Sequence, residues 1–214
     1  MGAISERRWC PRTVVNLSLQ KEASARLANN HITILIGWYL YDTASLTKCS
    51  RVIRKYFAPE TNMVERLKKR YGIRKDLFYV GVHIRRGDYA QWRDGRYYLN
   101  DNTYRKYMDQ YCRFHDNAHK QQLCFLLFSN EEINFMEYQS TLYSTVICNG
   151  SGIEDFCTMI SICDALIGPP STFSGMASFL GNIPKYVIDN SEKDLQVNEK
   201  SVIHIDIDDY GNSI

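Results

Sequence analysis

What this chain lacks narrows its function before any motif is read. No apolar stretch approaches the ~20 residues that a membrane-spanning helix requires, and the opening MGAISERRWCPR has no apolar segment of signal-peptide type. Gly2 starts a sequence like a myristoylation signal, but Glu6 stands where serine or threonine is wanted. The formal net charge is only +2, too small to argue for general affinity for nucleic acid or membrane surfaces. Seven cysteines are present (Cys10, Cys49, Cys112, Cys124, Cys148, Cys157 and Cys163), without a CxxC pair and with several inside apolar runs. That pattern suits reduced, buried thiols better than a disulfide framework or a zinc site. The histidines (His31, His83, His115, His119 and His204) form no HxxxH or His–Cys spacing and no catalytic triad. GxGxxG and Walker A sequences are both absent, which argues against an NAD enzyme and a P-loop ATPase. The expectation is a cytoplasmic protein with no nucleic-acid partner and no metal.

What is present is enough apolar material for a sizeable core, 44% of 214 residues, organised in two parts. Residues 1–75 are the less regular part. A helix over Leu17–Asn29, a short strand over Ile32–Ile36 and a basic helix over Leu46–Phe57 are expected there, followed by a helix that Asn62 caps and that runs through Lys69. From residue 76 to 214 strands alternate with helices. Strands are expected over Leu77–Ile84, Leu123–Phe128, Ser144–Cys148, Ala165–Ile167, Tyr186–Ile188 and Val202–Ile207. Between them come helices over Thr103–Phe114 (capped by Asp101 or Asn102), from about Ser129–Glu132, over Ile153–Cys163 and over Phe173–Leu180. The alternation implies an α/β fold with a Rossmann-like parallel sheet and flanking helices.

Four strand ends carry the chemistry. The run from Leu77 to Val82 leads into His83-Ile84-Arg85-Arg86-Gly87-Asp88-Tyr89. Two guanidiniums at a strand's carboxyl end form a fork for a diphosphate, because arginine stays charged and pairs bidentately with phosphate oxygens. Gly168-Pro169-Pro170-Ser171-Thr172-Phe173 supplies exposed N–H groups and two hydroxyls where a helix starts, an anion site or an ordinary N-cap. Ser129 tips a third strand and is the expected ligand contact there, while Glu131 and Glu132 fall in the first turn of the helix expected after it. Glu154 and Asp155 head the next helix, where a carboxylate accepts hydrogen bonds from a purine edge or simply caps. His83, Asp88 and Asp94 lie close to the arginines in sequence and are candidates for a general base, with Asp88 better suited to bracing the arginine fork.

Taken in order, His83-Ile-Arg85-Arg86-Gly87-Asp88, Phe128-Ser129, Asp155-Phe-Cys-Thr-Met159 and Ser171-Thr172-Phe173-Ser174 resemble the α-1,2-fucosyltransferase family, glycosyltransferase family 11. The match covers about residues 76–190. No Gly-rich GGLGNQ-type segment precedes it, and Gly175 and Met176 stand where two tryptophans are usual. The resemblance implies the C-terminal donor domain of a GT-B enzyme, preceded by a reduced acceptor domain. It implies transfer of fucose from GDP-fucose to a glycan hydroxyl of galactoside type, inverting, metal-independent and without a cofactor. Arg85, His83 and Asp88 become the catalytic candidates. Arg85, Arg86, Ser129, Asp155, Ser171, Thr172 and Phe173 become the donor-binding set. A GDP-sugar-binding member without transfer activity, or a relative forming another linkage, remains the alternative. The host stays open; in a bacterial one, the resemblance leads us to expect peripheral association with the inner face of a membrane. The oligomeric state stays open.

Overall fold

A computed structural model of the protein describes residues 43–118 and 121–188. The expected helix Leu17–Asn29 and the strands Ile32–Ile36 and Val202–Ile207 lie outside the described residues. The chain divides into two compact units, 1–51 and 52–214, and every strand of the described residues belongs to the second. Helix α1 (Thr43–Tyr56) runs into it, followed by α2 (Thr61–Arg70), β1 (Leu77–Ile84), α3 (Asp101–Ala118), β2 (Gln122–Ser129) and β3 (Ser144–Cys148). Then come α4 (Gly152–Ser161), β4 (Ala165–Gly168), α5 (Thr172–Gly181) and β5 (Lys185–Val187).

The strands form one parallel sheet in the order β3-β2-β1-β4-β5. The fold is therefore α/β and Rossmann-like. Its central strands read as continuous apolar runs because both faces are covered. Val80, Val82, Ile84, Phe125 and Leu127 pack with Tyr104, Tyr107, Met108 and Tyr111 of α3 on one face. Tyr79, Cys124, Leu126, Phe128 and Leu166 pack with Leu67 of α2, Met159 of α4 and Ala177 of α5 on the other. Helix α2, which the sequence pattern places in the 1–75 region, thus contributes a fully buried leucine to the α/β core. The buried cysteines Cys112, Cys124, Cys148 and Cys163 are free thiols.

Three local expectations are corrected. No helix follows Ser129: residues 130–134 are irregular and only a 3-10 turn, Phe135–Tyr138, forms, so Glu131 and Glu132 sit in a loop. Helix α3 is capped by neither Asp101 nor Asn102 but by Asn100, whose Oδ1 accepts from Thr103 N at 2.9 Å and from Thr103 Oγ1 at 3.0 Å. Helix α2 begins after Glu60, which makes no side-chain capping bond, rather than at an Asn62 cap.

Candidate active site at the carboxyl edge of the sheet

From β1 the chain steps to β2 and β3 on one side, and then crosses to β4 and β5 on the other. The loops leaving β1 and β4 therefore diverge, and the crevice between them is where open α/β sheets bind ligands. The arginine motif and the Pro-Pro-Ser-Thr motif are those two loops. Their strand ends touch: a Cβ on Gly168 would lie 2.8 Å from the carbonyl oxygen of His83, so only glycine fits. Val82 pairs with Ile167, and Ile84 with Ser129 on the other flank.

Arg85 is the open guanidinium. Its side chain is 32% exposed and pairs with Asp88 Oδ1 at 2.6 Å, while Asp88 itself is 65% exposed. The guanidinium lies 5.4 Å over the Tyr89 ring, and the Tyr89 hydroxyl donates to Pro170 O. That contact ties the arginine loop to the loop after β4. Asp88 braces the arginine, as its position in the sequence suggests.

Arg86 takes a different path, and the expectation of an equal two-arginine fork is corrected. Its side chain is only 13% exposed and its Nη2 pairs with Asp101, which also accepts from the Tyr138 hydroxyl. The half-buried Asp101 carboxylate is thus paired, and Arg86, the more buried partner, is the cation that does so. Its backbone N–H donates to Asn130 Oδ1 at 2.8 Å. The turn that permits this needs Gly87, at φ 65°, where a Cβ would sit 2.9 Å from Asn130 Nδ2. Ser129 Oγ accepts from Glu131 N at 3.2 Å, closing the loop beside Ile84.

His83 is buried, with Nδ1 and Ser174 Oγ 3.1 Å apart and Phe173 packed 5.5 Å away, ring to ring. Burial, with Lys185 and Arg85 adding to it, holds the imidazole down to about 3 and so neutral. It links the two motifs from inside, and its low basicity makes it a poor proton acceptor. Asp94 is exposed, in a turn where it and Arg93 both have positive φ.

Ser171 is the N-cap residue of α5, yet its hydroxyl makes no capping bond. The plain capping role for this serine is therefore not realised. Phe173, 36% exposed, packs against Phe156 of α4 at 5.1 Å and continues the surface toward the loop after β3. There the two carboxylates separate. Glu154 completes a capping box with Ser151 and pairs with Arg66 at 3.3 Å and Arg70 at 3.2 Å. The Ser151 amide foremost, and Arg70 after it, hold Glu154 below the usual range. Asp155 is left over. Its Oδ1 and the Tyr71 hydroxyl are both buried without a hydrogen-bond partner. A Cβ on Gly150 would lie 3.0 Å from the first and 3.1 Å from the second, so both oxygens gather around that glycine. Burial pushes the Asp155 carboxyl up to about 7, against the opposing Gly150 amide.

Two contributors escape a reading of the sequence. Tyr71 follows a helix and looks like an ordinary core aromatic. Lys185 opens β5, donating from Nζ to Pro169 O at 3.2 Å and Ser171 O at 3.3 Å. Its one sequence signal is a lone lysine between Pro184 and the apolar Tyr186-Val187-Ile188. Among the described residues no cluster of three or more His, Cys, Asp or Glu is arranged to hold a metal, and no helix is long and apolar enough to cross a membrane.

A Rossmann-like sheet with an arginine and an anion-type turn on either side of its switch point has the architecture at which open α/β domains bind ligands. The sequence model of glycosyl transferase family 11 matches residues 47–204, and the chain belongs to that family of fucosyltransferases. No curated protein matches the chain.

Proposed function

We propose that this glycosyltransferase moves L-fucose from GDP-fucose to a hydroxyl of a galactoside-type glycan, forming an α-1,2 linkage with inversion and without a metal or cofactor. The observation that carries the proposal is the switch-point pairing of Arg85 with the Ser171-Thr172-Phe173 turn, joined through Tyr89 and Pro170. In this reading the acceptor oxygen attacks the anomeric carbon as the bond to the β-phosphate breaks. Arg85 meets the charge that develops on GDP, taking the place of a divalent cation. The Ser171 and Thr172 hydroxyls and N–H groups hold the diphosphate at the start of α5, where the helix dipole favours an anion.

Asp155 takes the guanine edge. Its unpartnered oxygen supports this assignment, since a buried acceptor without a donor costs about 1–3 kcal/mol that the base N–H groups would recover. Ser129 borders the site from β2. Residues 76–214 then hold the donor, as in the C-terminal half of a GT-B enzyme, with Tyr71 reaching in from the preceding segment. The same reading gives a cytoplasmic enzyme, associated peripherally with the inner face of a membrane and building a surface polysaccharide.

A second reading, a donor-binding member without transfer activity, has one observation in its favour. Of the three base candidates, Asp88 is paired to Arg85 and His83 is buried and only weakly basic, which leaves the exposed Asp94 as the one unencumbered. Calorimetric titration with GDP and GDP-fucose tests the donor site, and no binding at millimolar concentration refutes both readings. GDP release measured with and without a β-galactoside separates them: acceptor-stimulated release marks the transferase, and its absence marks the binder.

A further inference from the structure

The turn between β4 and α5 has its carbonyl oxygens occupied in succession. Lys185 Nζ donates to Pro169 O at 3.2 Å and to Ser171 O at 3.3 Å, and the Tyr89 hydroxyl donates to Pro170 O between them. The described peptides are all trans. In a planar trans peptide the carbonyl of one residue and the N–H of the next point to opposite sides. Holding the Pro170 and Ser171 carbonyls therefore turns the Ser171 and Thr172 N–H groups away from Tyr89 and Lys185. Pro169 and Pro170 contribute no N–H of their own and lock φ, so the turn has few other ways to lie. The clamp comes from two distant parts of the chain, the loop after β1 and the first residue of β5. Lys185 is half-buried, and its ammonium is held behind the turn by its contacts to the Pro169 and Ser171 carbonyls.

We infer that Lys185 and Tyr89 form a carbonyl clamp that aims the Ser171 and Thr172 amides at the diphosphate of the nucleotide donor, Lys185 also adding positive charge behind the turn while it is protonated. The inference rests on the diphosphate reading of the site. Both are positioning residues, acting through the turn rather than on the reacting atoms. Tyr89 serves twice, because its ring also carries the Arg85 guanidinium. Burial pushes Lys185 down to about 7. The titratable group it acts on is the buried His83 of β1, held neutral, which Arg85 also affects. The clamp is thus strongest below neutrality, and a bound diphosphate keeps the proton on Lys185.

Calorimetry with guanosine, GMP and GDP reads this directly. Lys185→Met is expected to weaken GDP about ten-fold or more and GMP less, and to leave guanosine within about twofold. Lys185→Arg restores most of the GDP affinity. Tyr89→Phe keeps the ring under Arg85 and weakens GDP about three- to fivefold, the scale of one neutral hydrogen bond. In the wild type the ratio of GDP to guanosine affinity falls between about pH 7 and 8.5, and Lys185→Met removes that slope. The ratio cancels the titration of Asp155, because both ligands carry the base. Unchanged GDP affinity in Lys185→Met, or equal losses for guanosine and GDP, overturns the clamp. If Lys185→Met does not fold, a flat wild-type ratio together with an unaltered Tyr89→Phe overturns it. A wild type that binds none of the three ligands overturns the donor-site reading instead, a separate result.

Discussion

The two ends of one sheet behave differently. At the amino end polar groups satisfy one another: Arg74 pairs with Asp76, and Arg74 N donates to the Tyr79 hydroxyl at 2.7 Å. Tyr79 N donates to Asp164 Oδ2, and Asp164 N donates to Tyr79 O, each at 2.8 Å. At the carboxyl end, groups of the same kinds are left open. The Ser171 hydroxyl caps nothing, and Asp155 Oδ1 and the Tyr71 hydroxyl have no partner. A closed network contributes to stability, whereas an open one gives up stability and can bind. Substitutions at the two ends should therefore separate stability from ligand affinity.

The largest separation is expected between two arginines. Arg85→Ala should weaken GDP about 100-fold, the scale of a charge-assisted bidentate contact, while Arg74→Ala changes it less than about twofold. Equal losses by calorimetry would break the comparison. Next, Asp164→Ala should lower the unfolding free energy by about 2 kcal/mol, because it strands a β1 N–H, with GDP affinity of the folded protein unchanged. Urea denaturation and calorimetry on one preparation check both halves.

Asp155 should do the reverse. Its folded pKa is raised from 3.8 to about 7, so its contribution to stability is full below the lower value and is lost as pH rises through the upper one. Asp155→Asn should therefore stabilise the protein at about pH 8 by roughly 1–2 kcal/mol, less than full linkage because the carboxyl keeps some water, and should flatten the decline. It should also weaken guanosine. Melting curves across that pH range that coincide for the variant and the wild type would contradict this. The smallest effect contrasts two N-caps. Ser151→Ala breaks a capping box and should cost about 1 kcal/mol, whereas Ser171→Ala should cost a few tenths at most and act on GDP binding.

Strands β1, β2 and β4 were legible because a strand covered on both faces is an apolar run ended by polar residues or glycine. The half-buried edge strand β3 shows itself instead by its β-branched residues between turn signals. The misreadings share a cause. Asp101 looks like a cap, but it is claimed by Arg86 and Tyr138 from two other segments, so Asn100 caps instead. Residues 130–134 look like a helix start, yet Asn130 turns back to the Arg86 amide and the chain does not coil. Lys185 looks like a charge at a strand start, and only β5 lying beside β4 brings it under the turn.

By itself, then, the chain's order of residues determined that Arg85 and Ser171 stand at strand ends, because apolar runs and their polar terminators are local facts. Which strand ends are neighbours depended on β4 inserting beside β1 rather than beside β3. That placement, a matter of how the helices cover the two faces of the sheet, joined Arg85 to the Ser171 turn and set Lys185 behind it. Packing also divided the arginine pair, since Arg86 is drawn inward to the half-buried Asp101 carboxylate while Arg85 stays at the surface beside Asp88.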